Sequence, residues 1–257
     1  MKNVIAAGLL LIVAGCAKTG VETASYAPQS GGDSGSQTRA RLHTELAAGY
    51  FEIGNYGVAL QEAAEALKSE PNYVPAFNVL GLVYMELRDD KAAEANFQRA
   101  LRVNPLDSDS NNNYGWFMCQ RKREQESIKF FLTALRNPLY TTPDKSWVNA
   151  GVCARQAGDL VAAEDYFQKA LKVRPTQPQA LLQMADMAYK RGNNAEAKVY
   201  LETLRRDATP TAEFLWLALR VERKLGDREA EASLGFQLRK NFPVSREARA
   251  LAAGQYE

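Results

Sequence analysis

The chain has 257 residues, enough for one domain or two. With 46% hydrophobic and 24% charged residues it should pack rather than stay disordered, and a net charge of +2 is too weak for a nucleic-acid-binding face. His43 is the only histidine and there are three cysteines, which excludes multi-histidine metal or acid–base sites and a small disulfide scaffold.

Lys2 precedes an uncharged apolar run, Val4 to Val13, which is too short for the ~20 residues of a bilayer span. Its length and position fit a signal-peptide core, expected to occupy residues 1–15. The run ends Val13-Ala14-Gly15-Cys16, which resembles a bacterial lipobox. That resemblance implies cleavage before Cys16, which becomes the acylated mature N-terminus. Ala17, in place of Asp, implies the outer rather than the inner membrane. Residues 17–37 are rich in Gly, Ser and Thr without apolar periodicity and read as a flexible tether, with ends roughly 25 Å apart as a coil and about 70 Å when stretched. The lipidated terminus and tether are therefore set at 16–37 and the folded body at 38–257.

From Thr38 onward apolar residues recur at helical spacing. Pro71 and Pro105 are 34 residues apart, and Pro175 and Pro243 are two such steps apart. That period is the tetratricopeptide repeat. Six units follow in register: 40–73, 74–107, 108–143, 144–177, 178–211 and 212–245, the third carrying a two-residue insertion. Gly81, Gly115 and Gly151 fall where the two helices of a unit cross. Gly54, Gly158, Gly192 and Gly226 fall at the turn between them, and Ala59, Ala93, Ala163 and Ala197 open the contact face of the second helix. The expected fold is all-α: a right-handed superhelical solenoid of about twelve helices, with residues 246–255 as a C-terminal capping segment. Solenoids of this kind hold extended or helical peptides and rarely do chemistry. No phosphate loop, Cys-x-x-Cys pair or Ser-His-Asp arrangement is present, so no enzymatic activity is expected.

In this superfamily, positions 2, 5, 9, 12 and 13 of a unit face the concave side. Phe51, Leu82, Met85 and Trp116 then make an apolar strip flanked by Asn78 and Asn112, suited to a peptide ligand. The competing reading of that strip is packing between helices. Thr44 stands where chaperone-binding members place a clamp lysine, so capture of a C-terminal carboxylate is not expected. The run Asn111-Asn112-Asn113 reads as helix capping after Pro105, and His43 as a packing residue. Cys119 and Cys153 lie on neighbouring first helices. Their two-position offset turns one side chain by ~200° relative to the other, so the sulfurs can face each other. A Cys119–Cys153 disulfide is expected in an oxidising compartment, the alternative being two buried free thiols.

Lipobox, tether and six units together resemble the PilF/PilW lipoproteins of type IV pilus biogenesis. Asn112-Asn113-Tyr114-Gly115, the run from Gln177 to Asp186, and that from Gln237 to Pro243 carry the likeness further. The resemblance implies a pilotin: a lipid-anchored, periplasm-facing outer-membrane protein that binds secretin subunits and supports their targeting and multimer assembly, with contacts to other pilus-assembly proteins open. It implies no cofactor beyond the lipid on Cys16. The alternative is a tetratricopeptide scaffold for another envelope assembly, such as a tight-adherence pilus or cell-wall synthesis machinery.

Overall fold

The computed structural model describes residues 35–256. The predicted signal peptide, Cys16 and most of the predicted tether lie outside the described residues.

Among the described residues there are thirteen α-helices and no strand. They form six antiparallel pairs: α1 (Gly35–Glu52) with α2 (Tyr56–Ser69), α3 (Val74–Glu86) with α4 (Asp90–Val103), α5 (Ser108–Gln120) with α6 (Glu124–Ala134), α7 (Pro143–Gln156) with α8 (Leu160–Val173), α9 (Pro178–Lys190) with α10 (Asn194–Asp207), and α11 (Ala212–Leu225) with α12 (Arg228–Asn241). A short α13 (Arg246–Ala252) packs on the last pair through buried Ala248 and the partly buried Leu251. One boundary differs from the sequence reading: α1 begins at Gly35, so its first turn runs back into the stretch taken as tether.

Local chemistry sets the second helices. Asn55, Asp89, Asp159, Asn193 and Asp227 each precede one and accept a hydrogen bond from a backbone N–H of its first turn. The turn ahead of these caps needs a left-handed residue. Gly158 supplies it at φ 86°, but in units two and three Arg88 and Lys122 adopt φ 61° without being glycine.

In three pairs the helices cross at a contact sixteen residues apart in sequence (81 to 97, 115 to 131, 151 to 167). Phe97, Phe131 and Phe167 are each fully buried, and their rings lie over Gly81, Gly115 and Gly151. The corresponding pairs elsewhere share out the space differently: Ala47 with Ala63, Ala185 with Leu201, and Leu219 with Gly235, where the small residue has moved to the second helix. The register thus fixes a volume to be filled by two residues rather than a residue type.

Successive pairs stack asymmetrically. The first helices touch one another (α1 with α3, α3 with α5, α5 with α7, α9 with α11), while second helices do not pair to a comparable extent. The first helices therefore form the inner, concave layer.

Candidate functional site

The middle of the concave layer carries a chain of side-chain amides. Asn113 Nδ2 on α5 donates to Asn78 Oδ1 on α3 at 3.2 Å, and Asn112 Nδ2 donates to Asn113 Oδ1 at 3.1 Å. From α7, Ser146 Oγ and Asn149 Nδ2 donate to Asn112 Oδ1 at 2.8 and 3.0 Å. Five polar residues thus join three repeats. This corrects the reading of the three asparagines as helix caps. The N-cap of α5 is Asp107, which accepts from the Ser110 amide at 2.8 Å. Asn111 instead donates to the carbonyls of Pro105 and Asp107, and Asn112 is buried among the first helices. A buried amide with both its oxygen and nitrogen bonded holds a defined geometry, because losing any partner strands another polar group.

The apolar residues expected beside the amides divide. Met85 and Trp116 line one cavity of about 520 Å³ with Gln120 and the Arg121–Asp90 ion pair, whose Nε–Oδ2 distance is 2.8 Å. Phe51 and Leu82 are not part of that cavity: Phe51 sits 6.0 Å from the Tyr56 ring at the first turn, and Leu82 packs on the Phe97–Tyr114–Met118 core. Trp116 also packs on the cluster of Phe131, Ala150 and the two cysteines. All four side chains are half-buried, so each serves the stack and presents part of its surface to the groove. Thr44 is buried and its hydroxyl donates to the Ala40 carbonyl at 2.8 Å, which removes it from the groove surface. His43 Nδ1 lies 2.7 Å from Glu62 Oε2, a bond between the two helices of unit one.

Cys119 on α5 and Cys153 on α7 lie directly beneath this surface as a disulfide, with Cα atoms 5.8 Å apart and both residues buried. Further along, Arg155 on α7 donates to Gln183 and Asp186 on α9, and Lys190 reaches Asp186 at 3.0 Å. Burial opposes ionisation of Asp186, but the hydrogen bonds from Lys190 and Arg155 outweigh it and hold the carboxyl below the usual aspartate range. Glu94 on α4 behaves alike: desolvation is overcome by Arg123 and Tyr114, whose donors lie 2.9 and 2.8 Å away.

Sequence reasoning found Asn78, Asn112, Met85 and Trp116. It did not single out Ser146 and Asn149 as their partners. A signal existed, since the polar pairs that join repeats are separated by nearly one period: 35 residues for Asn78–Asn113, 34 for Asn112–Ser146 and 31 for Arg155–Asp186. Nothing in this arrangement positions a nucleophile or a proton-transfer pair. Among the described residues no three His, Cys, Asp or Glu side chains converge to hold a metal.

Stacked helix pairs, a 34-residue register and a concave layer of first helices define a tetratricopeptide-repeat solenoid. Models of the tetratricopeptide repeat match residues 78–142 and 154–218. The crystal structure of PilW, a widely conserved type IV pilus biogenesis factor, superposes with a TM-score of 0.74 at 32% identity, covering 83% of this chain and 98% of that one. The structure of Pseudomonas aeruginosa PilF superposes with a TM-score of 0.78 at 28% identity, over 86% of this chain and 99% of that one. The type IV pilus assembly protein PilF of Pseudomonas aeruginosa is 29% identical over 215 residues, 84% of this chain and 85% of its own. The chain belongs to the PilF/PilW-type family of tetratricopeptide-repeat proteins.

Proposed function

We propose that this protein is an outer-membrane lipoprotein of type IV pilus biogenesis that binds secretin subunits through its concave layer and promotes their outer-membrane targeting and multimer assembly. The observation that carries this is the likeness to PilW, which spans nearly that whole chain rather than a shared repeat or two. Several acyl chains on Cys16 would anchor it firmly at ~0.8 kcal/mol per buried CH₂. The groove around Asn78, Asn112, Met85 and Trp116 would hold a secretin segment at the membrane. Tethering raises local concentration without any bond being made or broken. The Cys119–Cys153 bond would lock α5 to α7 under that groove in an oxidising periplasm.

Fractionating membranes for secretin multimers with and without the protein is the direct test. Loss of multimers on deletion, and in Cys16→Ser with the folded protein still present, is the expected result. Normal multimers in either strain reject lipid-dependent assembly. Charged substitutions at Met85 or Trp116 should release the secretin from co-purification. Retention in both rejects the mid-groove site, and capture of a different envelope assembly in its place rejects the secretin as partner.

A further inference from the structure

Beyond the amide-lined middle, the concave layer ends in a surface of different chemistry. Two cavities, of about 650 and 530 Å³, meet where α9, α11 and the tail after α13 converge, and they share Arg220 and Gln255. Their lining holds five bases (Arg220, Arg223, Lys224, Arg246, Arg249) against one acid, Glu247. Arg223 is bonded to Glu231 at 2.8 Å. Arg220, Lys224, Arg246 and Arg249 have no ion pair among the described residues.

Arg220 is the centre of this surface. Its guanidinium stacks 4.9 Å from the Tyr189 ring and 5.5 Å from the Trp216 ring, which fixes its plane. Its Nε is buried without a hydrogen-bond partner. A buried donor left unmet is costly. Trp216 also stacks on Tyr256 at 5.8 Å, so an aromatic wall stands beside the cations. The site therefore offers a pre-oriented guanidinium with a spare donor, further cations on both sides, and apolar surface between them.

We propose that this C-terminal end of the concave layer docks an acidic segment of a partner protein, one whose carboxylates flank at least one apolar side chain. The bases run along two elements, α11 and α13, rather than clustering at one point, so they match carboxylates strung along a chain. They line the inner curve between helices and are not spread over an outer face, which favours a peptide over a planar anionic membrane. The site is separate from the amide-lined middle and does not depend on which protein binds there.

The test uses the full chain in detergent and a short fluorescein-labelled peptide of Glu residues around a central Phe, read by anisotropy. The peptide should bind, bind more weakly as salt rises, and bind about tenfold better than its Gln analogue. The double reversal Arg246→Glu with Arg249→Glu, at two exposed positions, should weaken binding about tenfold or more, and Lys91→Glu on α4 should leave it unchanged. Arg220→Gln should weaken it similarly at unchanged helix content. If that variant unfolds, the surface reversal decides alone. No binding by the wild type, or equal binding by the double reversal, overturns the proposal. Displacement by a soluble short-chain phosphatidylglycerol as effectively as by unlabelled peptide also overturns it and assigns the surface to lipid.

Discussion

Gly151→Ala tests the idea that each helix pair is closed by one shared volume. An added Cβ would sit 2.5, 2.7 and 2.9 Å from three atoms of the Phe167 ring, which is itself fully buried. A rigid ring cannot yield as a flexible chain end does, so the ring or the helix must move, at ~1–3 kcal/mol. Against this, replacing Gly by Ala inside α7 favours the helix by about 1 kcal/mol. The expected net is a loss of up to roughly 2 kcal/mol. Gly115→Ala meets Phe131 at 2.9 Å and beyond, so its loss should be smaller. Phe167→Leu alone should cost ~1–2 kcal/mol through the space it empties. The double variant recreates the Ala–Leu pair that unit five carries at 185 and 201, and should recover about 1–2 kcal/mol relative to the sum of the singles. Urea unfolding followed by far-ultraviolet circular dichroism, with the slope checked for constancy, reads the wild type and every variant. Stabilisation of Gly151→Ala by its full helix-propensity gain, or additivity in the cycle, would refute the shared-volume account.

Three further outcomes follow from the joints between repeats. Reducing the Cys119–Cys153 bond releases a loop of sequence separation 34 and should lower stability by ~4 kcal/mol; a unit-by-unit urea profile with and without reductant measures it, and two alkylatable thiols in the unreduced protein would remove the premise. Asn112→Ala strands Asn149 Nδ2, leaves Ser146 Oγ only its 3.3 Å bond to the Tyr140 hydroxyl, and should cost about 2 kcal/mol, whereas a loss below ~0.5 would mean that water replaces the amide freely. Asp186 has a folded-state carboxyl below its unfolded range, so its contribution is present above the unfolded value and is lost as pH falls through the folded one. Asp186→Asn should accordingly be less stable than wild type at neutral pH, with the gap narrowing as pH falls below the usual aspartate range, and an undiminished gap in strong acid would show that shape rather than charge holds Arg155.

What was legible in the sequence is what repeats. The glycines and phenylalanines recur at 34 because each unit must close its own helix pair, and that constraint is local enough to read from one chain. Arg88 and Lys122 show the limit: the left-handed turn is kept while the residue that signals it is not. The groove was legible only in part. Met85 and Trp116 share a cavity, but Phe51 and Leu82 belong to the packing around Tyr56 and Phe97, because a half-buried apolar residue at helical spacing satisfies both roles and periodicity cannot separate them. The bonds between repeats were not legible from any single unit, since each joins residues of different units about one period apart.

That division has a functional consequence. Contacts within a unit are fixed by the fold, so variation there is confined to trades such as Gly–Phe for Leu–Gly. The inward positions of the first helices are under no such constraint, because a concave layer can be closed by amides, by an Arg–Asp pair or by stacked arginines equally well. The chain uses all three in succession: amides across α3, α5 and α7, the Arg155–Asp186 pair across α7 and α9, and the Tyr189–Arg220–Trp216 stack across α9 and α11. The first two satisfy their own donors and acceptors, while the third leaves the Arg220 Nε without an acceptor. A solenoid whose joints change in this order presents neutral hydrogen-bonding groups in its middle and net positive charge at its C-terminal end, so the chemistry of the layer has a direction along the chain.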